Sequence, residues 1–177
     1  MDILCEHCHK VVGSVVHHTD PNLGPTLCPE CGDHFLAEYG GVSLGEYLDK
    51  FEEPMMVFND DLRVVACNRK GRAEVHAPYA RPFGLKNGHF LDCRNAVMGG
   101  VCGQTPDCPQ CGIRNSVTQT LKTGESVENH PASLTRAGQD GIHTHEWNVS
   151  TRKVGNTVHL KLQKPVAHGR GAQFRRV

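Results

Sequence analysis

The sequence lacks long apolar runs and an excess of charge of either sign. Of its 177 residues 38% are apolar, the mean hydropathy is −0.42, and acidic and basic side chains number 19 each. No run approaches the roughly 18 apolar residues of a membrane-spanning helix. The opening residues, MDILCEHCHK, lack the basic stretch followed by an apolar stretch that marks a signal peptide. We therefore expect a cytoplasmic protein with no membrane partner.

Catalytic motifs are also missing. The sequence contains no recognisable nucleophile–base set, no glycine-rich phosphate loop and no kinase motif. A chain of 177 residues has room for one ordinary domain and a small appendage. We therefore expect that the protein is not an enzyme.

Cysteine, in contrast, is abundant. The chain has nine cysteines and twelve histidines. In a reducing compartment so many cysteines indicate metal ligation rather than a disulfide framework.

Two Cys-x2-Cys knuckles form the first cysteine set. They are Cys5 to Cys8 and Cys28 to Cys31, with nineteen residues between them. This spacing predicts a four-thiolate zinc site within a ribbon-like module over residues 1–40. So short a segment has little core, so zinc would supply its folding energy. Cys5 to His9 also matches the attachment motif of c-type haem, but that chemistry belongs to exported proteins, and the second knuckle favours zinc. Because the segment is acidic, we expect it not to bind nucleic acid.

A second cysteine set lies in the middle of the chain and has the spacing C-x8-C-x5-C-x2-C. It consists of Cys93, Cys102, Cys108 and Cys111, in a loop rich in glycine and proline. Cys108 and Cys111 are placed at the N-terminus of a predicted helix over 109–123, where the helix dipole favours thiolate. The spacing predicts a second site and leaves open whether it holds zinc or an iron–sulfur cluster. Arg94 and Arg114 could stabilise its negative charge.

Periodicity predicts an α+β fold. Strand-like runs and one long helix follow each other as two strands, short helices, the long helix and three strands. We expect a five-stranded antiparallel sheet with helices on one face, built from strands near 55–58, 62–66, 125–135, 142–151 and 154–163.

The segment 41–54 is predicted to be a linker helix between the two modules. Ser43 and Glu46 form a capping-box pattern, and Leu44, Tyr47, Leu48 and Phe51 follow at helical spacing. The helix either packs on its own domain or forms a contact between two copies, and a homodimer is our expectation. Residues 165–177 are predicted to be a basic, flexible tail.

A possible ligand pocket is indicated by residues that alternate on one strand. His143, His145 and Trp147 share a face, and Trp147 is expected to face the core. With Arg94 and Arg114 they form the predicted lining. The alternative interpretation is that the two histidines are hydrogen-bonded residues at a strand end with no role in ligand binding.

The order of elements, with the segment FEEPMMVFNDDLRVVACN, resembles the PAS domain family over roughly 43–164. The motifs LDC, GGVCG, CPQCG and TGE are similar to a cysteine-bearing PAS subfamily of bacterial signalling proteins. CEHCHK and LCPEC are similar to a small cysteine-knuckle module found beside bacterial PAS and response-regulator domains. The resemblance implies a small pocket between helices and sheet, covered by the cysteine loop.

What such a pocket binds varies between members of that family. The predicted long helix has no axial histidine for haem, and Leu91 to Asn95 only faintly resembles the motif of flavin photosensors. The resemblance therefore implies a sensory or regulatory protein in bacterial signal transduction. It would detect redox state, oxygen or a small ligand through the central cysteines and act on an unidentified signalling partner. A structural zinc-binding adaptor is the main alternative, and a flavin or electron-transfer protein is the third.

Overall fold

A computed structural model describes residues 2–5, 8–14, 28, 44–74, 84–138 and 141–165. Cys31 and most of the predicted basic tail, residues 166–177, lie outside the described residues. The described strands are β1 (Asp2–Leu4), β2 (Val11–Ser14), β3 (Met55–Phe58), β4 (Val64–Cys67), β5 (Val127–Gly138), β6 (Gly141–Val154) and β7 (Thr157–Gln163). The described helices are α1 (Leu44–Leu48), α2 (Arg69–Ala73), α3 (Asn87–Phe90), α4 (Arg94–Val97) and α5 (Gly112–Thr123), with a 3-10 turn at Cys108–Gln110.

The main sheet has five strands in the order β4-β3-β7-β6-β5, and every neighbouring pair is antiparallel. The first hairpin lies at one edge, and its β3 pairs with the last strand of the chain. This five-stranded antiparallel sheet with helices packed on it is the α+β arrangement that the sequence predicts. A turn at Gly155 and Asn156 joins β6 to β7, with Gly155 at a φ of 57°.

The core lies between one face of the sheet and helices α3 to α5. Alternate strand residues such as Met56, Phe58 and Leu160 are fully buried, and Ile113 and Val117 of α5 pack against them. Thr120 of α5 joins the sheet through a 2.6 Å hydrogen bond between its Oγ1 and that of Thr151. The long helix that carries part of the cysteine loop is therefore fixed directly to β6.

The linker helix packs on the opposite face of the sheet. Leu48 is fully buried with Met55 and Val57, whose neighbours Met56 and Phe58 face the main core. Helices thus cover both faces, because α1 folds back on its own domain. A dimer contact through this helix stays a prediction, but Leu48 already serves the packing of its own chain.

The N-terminal module contains a two-stranded ribbon. Strands β1 and β2 pair antiparallel, with Asp2 opposite Ser14, and the first knuckle lies between them. The segment Val11–Ser14 after the first knuckle therefore forms one strand of a ribbon within the predicted ribbon-like module.

Candidate metal centres

The N-terminal cysteines converge on one point. The Sγ atoms of Cys5, Cys8 and Cys28 all lie within 4.8 Å of one another, and the three side chains are 0–4% exposed. The Sγ atoms of Cys8 and Cys28 are 3.8 Å apart. Zinc–sulfur bonds of about 2.3 Å in a tetrahedron place two sulfurs about 3.8 Å apart. The spacing of these thiols therefore fits a single tetrahedral ion.

A tight turn brings the first two ligands together. The N–H of Cys5 donates to the carbonyl of Lys10 at 2.8 Å, and the N–H of His9 donates to the carbonyl of Cys5 at 2.8 Å. His9 has a φ of 59°, a left-handed conformation that lets the chain reverse directly after Cys8. Three of the four predicted ligands are therefore placed together, and the fourth, Cys31, lies outside the described residues.

The central cysteines line one cavity. Cys93, Cys102, Cys108 and Cys111 surround a space of about 40 Å³ between the loop, α3 and α5. Cys93 precedes α4, and its backbone forms a bridge with Arg136 of β5. Cys111 is the N-cap residue of α5. The structure thus brings together the four residues that sequence spacing had grouped.

Backbone amides are directed at three of the four sulfurs. The N–H groups of Gly88 and Gly103 donate to the Sγ atoms of Cys102 and Cys108 at 3.2 and 3.1 Å, respectively. The N–H of Arg114 is 3.5 Å from the Sγ of Cys111, in the first turn of α5. N–H donors of this kind stabilise a thiolate more than a thiol. The loop is therefore folded around sulfur atoms that can carry negative charge.

The thiols differ in how strongly they favour ionisation. Burial raises the pKa of Cys102 and of Cys111, despite the amide hydrogen bonds that each accepts. Burial acts in the same direction on Cys108, but there the Thr105 hydroxyl, the N–H groups of Thr105 and Gly103 and the charge of Arg114 outweigh it and lower the pKa. The site therefore combines one thiol whose pKa is lowered with two whose pKa is raised.

Two polar atoms at the cavity lack partners among the described residues. They are Oδ1 of Asn87, whose side chain is 4% exposed, and Nε of Arg114. Both residues line the cavity, and the Arg114 guanidinium lies beside the backbone of Gly103. A buried polar atom without a partner costs free energy. The Nε–H of Arg114 is a donor and suits a negatively charged occupant, whereas the Oδ1 of Asn87 is an acceptor and would need a donor.

The two cysteine sets differ in spacing. Across the described parts of the chain, only Cys5, Cys8 and Cys28 bring three ligand atoms within 4.8 Å of one another. The central four share a cavity without reaching that separation. The N-terminal set is spaced for one ion, whereas the ligand atoms of the central set lie farther apart around their cavity.

The remaining predicted pocket residues are not part of this cavity. Arg114 lines the cavity, whereas Arg94 and His143 are exposed. Trp147 is 3% exposed and faces the core, and the half-buried His145 stacks on it with ring centroids 5.5 Å apart. Arg94, His143, His145 and Trp147 are therefore not among the residues that line the cavity of the central cysteines.

Sequence reasoning missed Arg136. This side chain is 3% exposed, its guanidinium lies 4.8 Å from the centroid of the Trp147 ring, and its Nη1 donates to the carbonyl of Glu74. Within the described part of the chain its Nε and Nη2 have no hydrogen-bond partner. Burial lowers the pKa of Arg136, which reflects the cost of a desolvated cation. An arginine at an alternating strand position carries no sequence signal that separates it from an exposed one.

No helix among the described residues is long and apolar enough to cross a membrane.

Comparison with known proteins gives structural matches only. Neither the scan of protein-family models nor the search of curated proteins finds a match. Among solved structures, a variant of RsLOV is similar with a TM-score of 0.46 and 9% identity, and the match covers 70% of this chain and 66% of the other. An RNA-binding Light-Oxygen-Voltage receptor matches with a TM-score of 0.45 and 13% identity over 84% of this chain and 36% of that receptor. The PAS domain of a protein from Colwellia psychrerythraea matches with a TM-score of 0.43 and 10% identity over 66% of this chain and 89% of the other.

Proposed function

We propose that the protein is a cytoplasmic sensory or regulatory protein that carries zinc in its N-terminal module and an iron–sulfur cluster in its PAS-like domain. Cys5, Cys8, Cys28 and Cys31 would hold the zinc, and Cys93, Cys102, Cys108 and Cys111 would hold the cluster. The observation that carries the proposal is the contrast in spacing. One set closes to single-ion distances, and the other surrounds a cavity without doing so.

The donors around the central cavity support this assignment. Thiolates are the usual ligands of iron–sulfur clusters, and hydrogen bonds to the sulfurs and nearby charge tune their reduction potential. Here three amides point at ligand sulfurs. Arg114 places a cation at the same cavity, and its Nε has no partner within the described part of the chain. A bound cluster would supply one-electron redox chemistry and sensitivity to oxygen, and these residues would hold and polarise it.

Two of the proposed cluster ligands connect the central site to strands of the main sheet. Cys111 caps α5, and α5 is joined to β6 through Thr120 and Thr151. Cys93 is paired with β5 at Arg136. A change in the geometry of the loop would therefore act on two neighbouring strands, and a protein partner that contacts the sheet could detect it.

Anaerobic purification with metal, sulfide and absorption analysis tests the proposal. We expect brown protein with iron, acid-labile sulfide and zinc, which loses its colour in air while it keeps the zinc. Cys108→Ser should lose iron and colour and keep zinc, whereas Cys5→Ser should lose zinc and keep iron. The two variants serve as reciprocal controls.

A structural zinc-binding adaptor without sensing is the alternative function. It requires the central cysteines to close on one ion, so it predicts colourless protein with two zinc ions per chain. That result would overturn the cluster and the redox function together. Free labelling of all four central thiols in the metal-replete protein would exclude a metal of either kind at this site.

A further inference from the structure

One contact joins the N-terminal cysteine site to the PAS-like domain. Asn156 lies at the tip of the β6–β7 hairpin, and its Nδ2 is 3.7 Å from the Sγ of Cys28, 128 positions away in sequence. The hairpin presents this amide in a defined way, because the Oγ1 of the buried Thr157 donates to the carbonyl of Val154 at 2.8 Å across the turn. The contact therefore comes from an ordered β-turn.

The chemistry of the pair suits a metal-bound thiolate. An amide N–H is a donor, and a thiolate on a metal keeps negative charge that an N–H donor stabilises. Cys28 is only 4% exposed, so water has little access to its sulfur. Groups that hydrogen-bond to ligands orient them, and their loss typically lowers metal affinity about 10- to 100-fold.

We infer that Asn156 is a positioning residue for the N-terminal metal site and that the metal-loaded module docks on the β6–β7 turn. This inference rests on the proposed N-terminal zinc site and names the surface that receives the module. Because linkage is reciprocal, a turn that strengthens metal binding must itself be stabilised by the metal. Zinc binding at the N-terminal site is then coupled to β6. Thr120 fixes α5, which begins at the central cysteine site, to the same strand.

The test uses the full chain and two readouts. Asn156→Ala removes the donor, and Asn156→Asp keeps the shape but turns an acceptor toward the sulfur. Lys153→Ala is the matched control, because Lys153 lies in the same hairpin, is exposed and donates to the carbonyl of Leu121 instead. We expect a chelating dye to remove zinc about ten-fold faster from Asn156→Ala, faster still from Asn156→Asp, and at the wild-type rate from Lys153→Ala.

A spectroscopic readout separates ligand positioning from general stability. In cobalt-substituted protein, the thiolate-to-cobalt charge-transfer band should shift in both Asn156 variants and stay in place in the control. Removal of zinc from the wild-type protein should also speed hydrogen exchange of the amides at 154–157. If Asn156→Ala does not fold, Asn156→Asp decides the test, since aspartate suits turns.

The outcomes distinguish this inference from the zinc assignment. Wild-type protein without metal on Cys5, Cys8 and Cys28 would refute the zinc site, and the docking inference with it. The docking inference alone would be refuted if the wild-type protein binds zinc and the Asn156 variants release zinc at the wild-type rate and keep the wild-type cobalt band.

Discussion

Substitution of Gly88 by alanine tests the geometry of the central site. Gly88 lies in α3, its N–H donates to the Sγ of Cys102, and a Cβ built on it would lie 2.9 Å from that Sγ. The same Cβ would lie 3.0 Å from the Cβ of Cys102 and 3.2 Å from the Cβ of Ala96. Favourable carbon contacts are about 3.5–4.0 Å. An added methyl group therefore forces Cys102 away from α3 by roughly half an ångström.

The expected loss of stability follows from two opposed effects. Overpacking of a filled interior costs about 1–3 kcal/mol. Alanine in place of glycine in a helix returns roughly 0.5–1 kcal/mol. We expect Gly88→Ala to lower the free energy of unfolding by about 1–2 kcal/mol, which shifts the melting temperature of a chain of this size by roughly 2–8 °C.

Gly45→Ala is the matched control. Gly45 lies in α1, is exposed, and has nothing within 4 Å of the position of an added Cβ. This substitution should leave stability unchanged or raise it by about 0.4–1 kcal/mol. Urea denaturation measures the free energy of unfolding of each variant. Metal analysis should show that Gly88→Ala loses the metal of the central site and keeps the metal of the N-terminal site. A Gly88→Ala protein with wild-type stability and metal content would show that Cys102 does not pack against α3.

Two further predictions concern the faces of the sheet. Leu48→Ala should lower the free energy of unfolding by about 2–5 kcal/mol because its side chain is fully buried. Gly45→Ala in the same helix serves again as the control. A loss below about 0.5 kcal/mol in Leu48→Ala would contradict the packing of α1 on the sheet. Arg136→Met removes a buried cation, two of whose nitrogens have no hydrogen-bond partner among the described residues, and keeps an apolar stem near Trp147. Thermal and urea unfolding should therefore show stability equal to wild type or about 1 kcal/mol higher. Arg136→Ala, which also removes the stem, should be less stable than Arg136→Met. If Arg136→Met lowers the free energy of unfolding by more than about 2 kcal/mol, the guanidinium has partners that stabilise the fold.

The local structure followed from the sequence because its causes are local. Strand-like runs predicted the five strands of the main sheet. The grouping of cysteines also followed, since a Cys-x2-Cys knuckle places two sulfurs near one point whatever the rest of the chain does. The fully buried Ile113 and Val117 on α5 were likewise predictable from helical spacing.

Contacts between distant segments were decided only by the tertiary structure. Helical periodicity predicts that α1 has an apolar side. Only the tertiary structure shows that this side packs on the face of the sheet opposite the main core. Arg136 and His143 lie in the long β5–β6 hairpin. The burial of the first and the exposure of the second depend on which part of this hairpin is covered by other elements. The contact between Asn156 and Cys28 spans 128 positions, and no local pattern encodes it. Sequence periodicity specifies the face on which a residue lies, whereas its neighbours across space depend on how all the elements pack together.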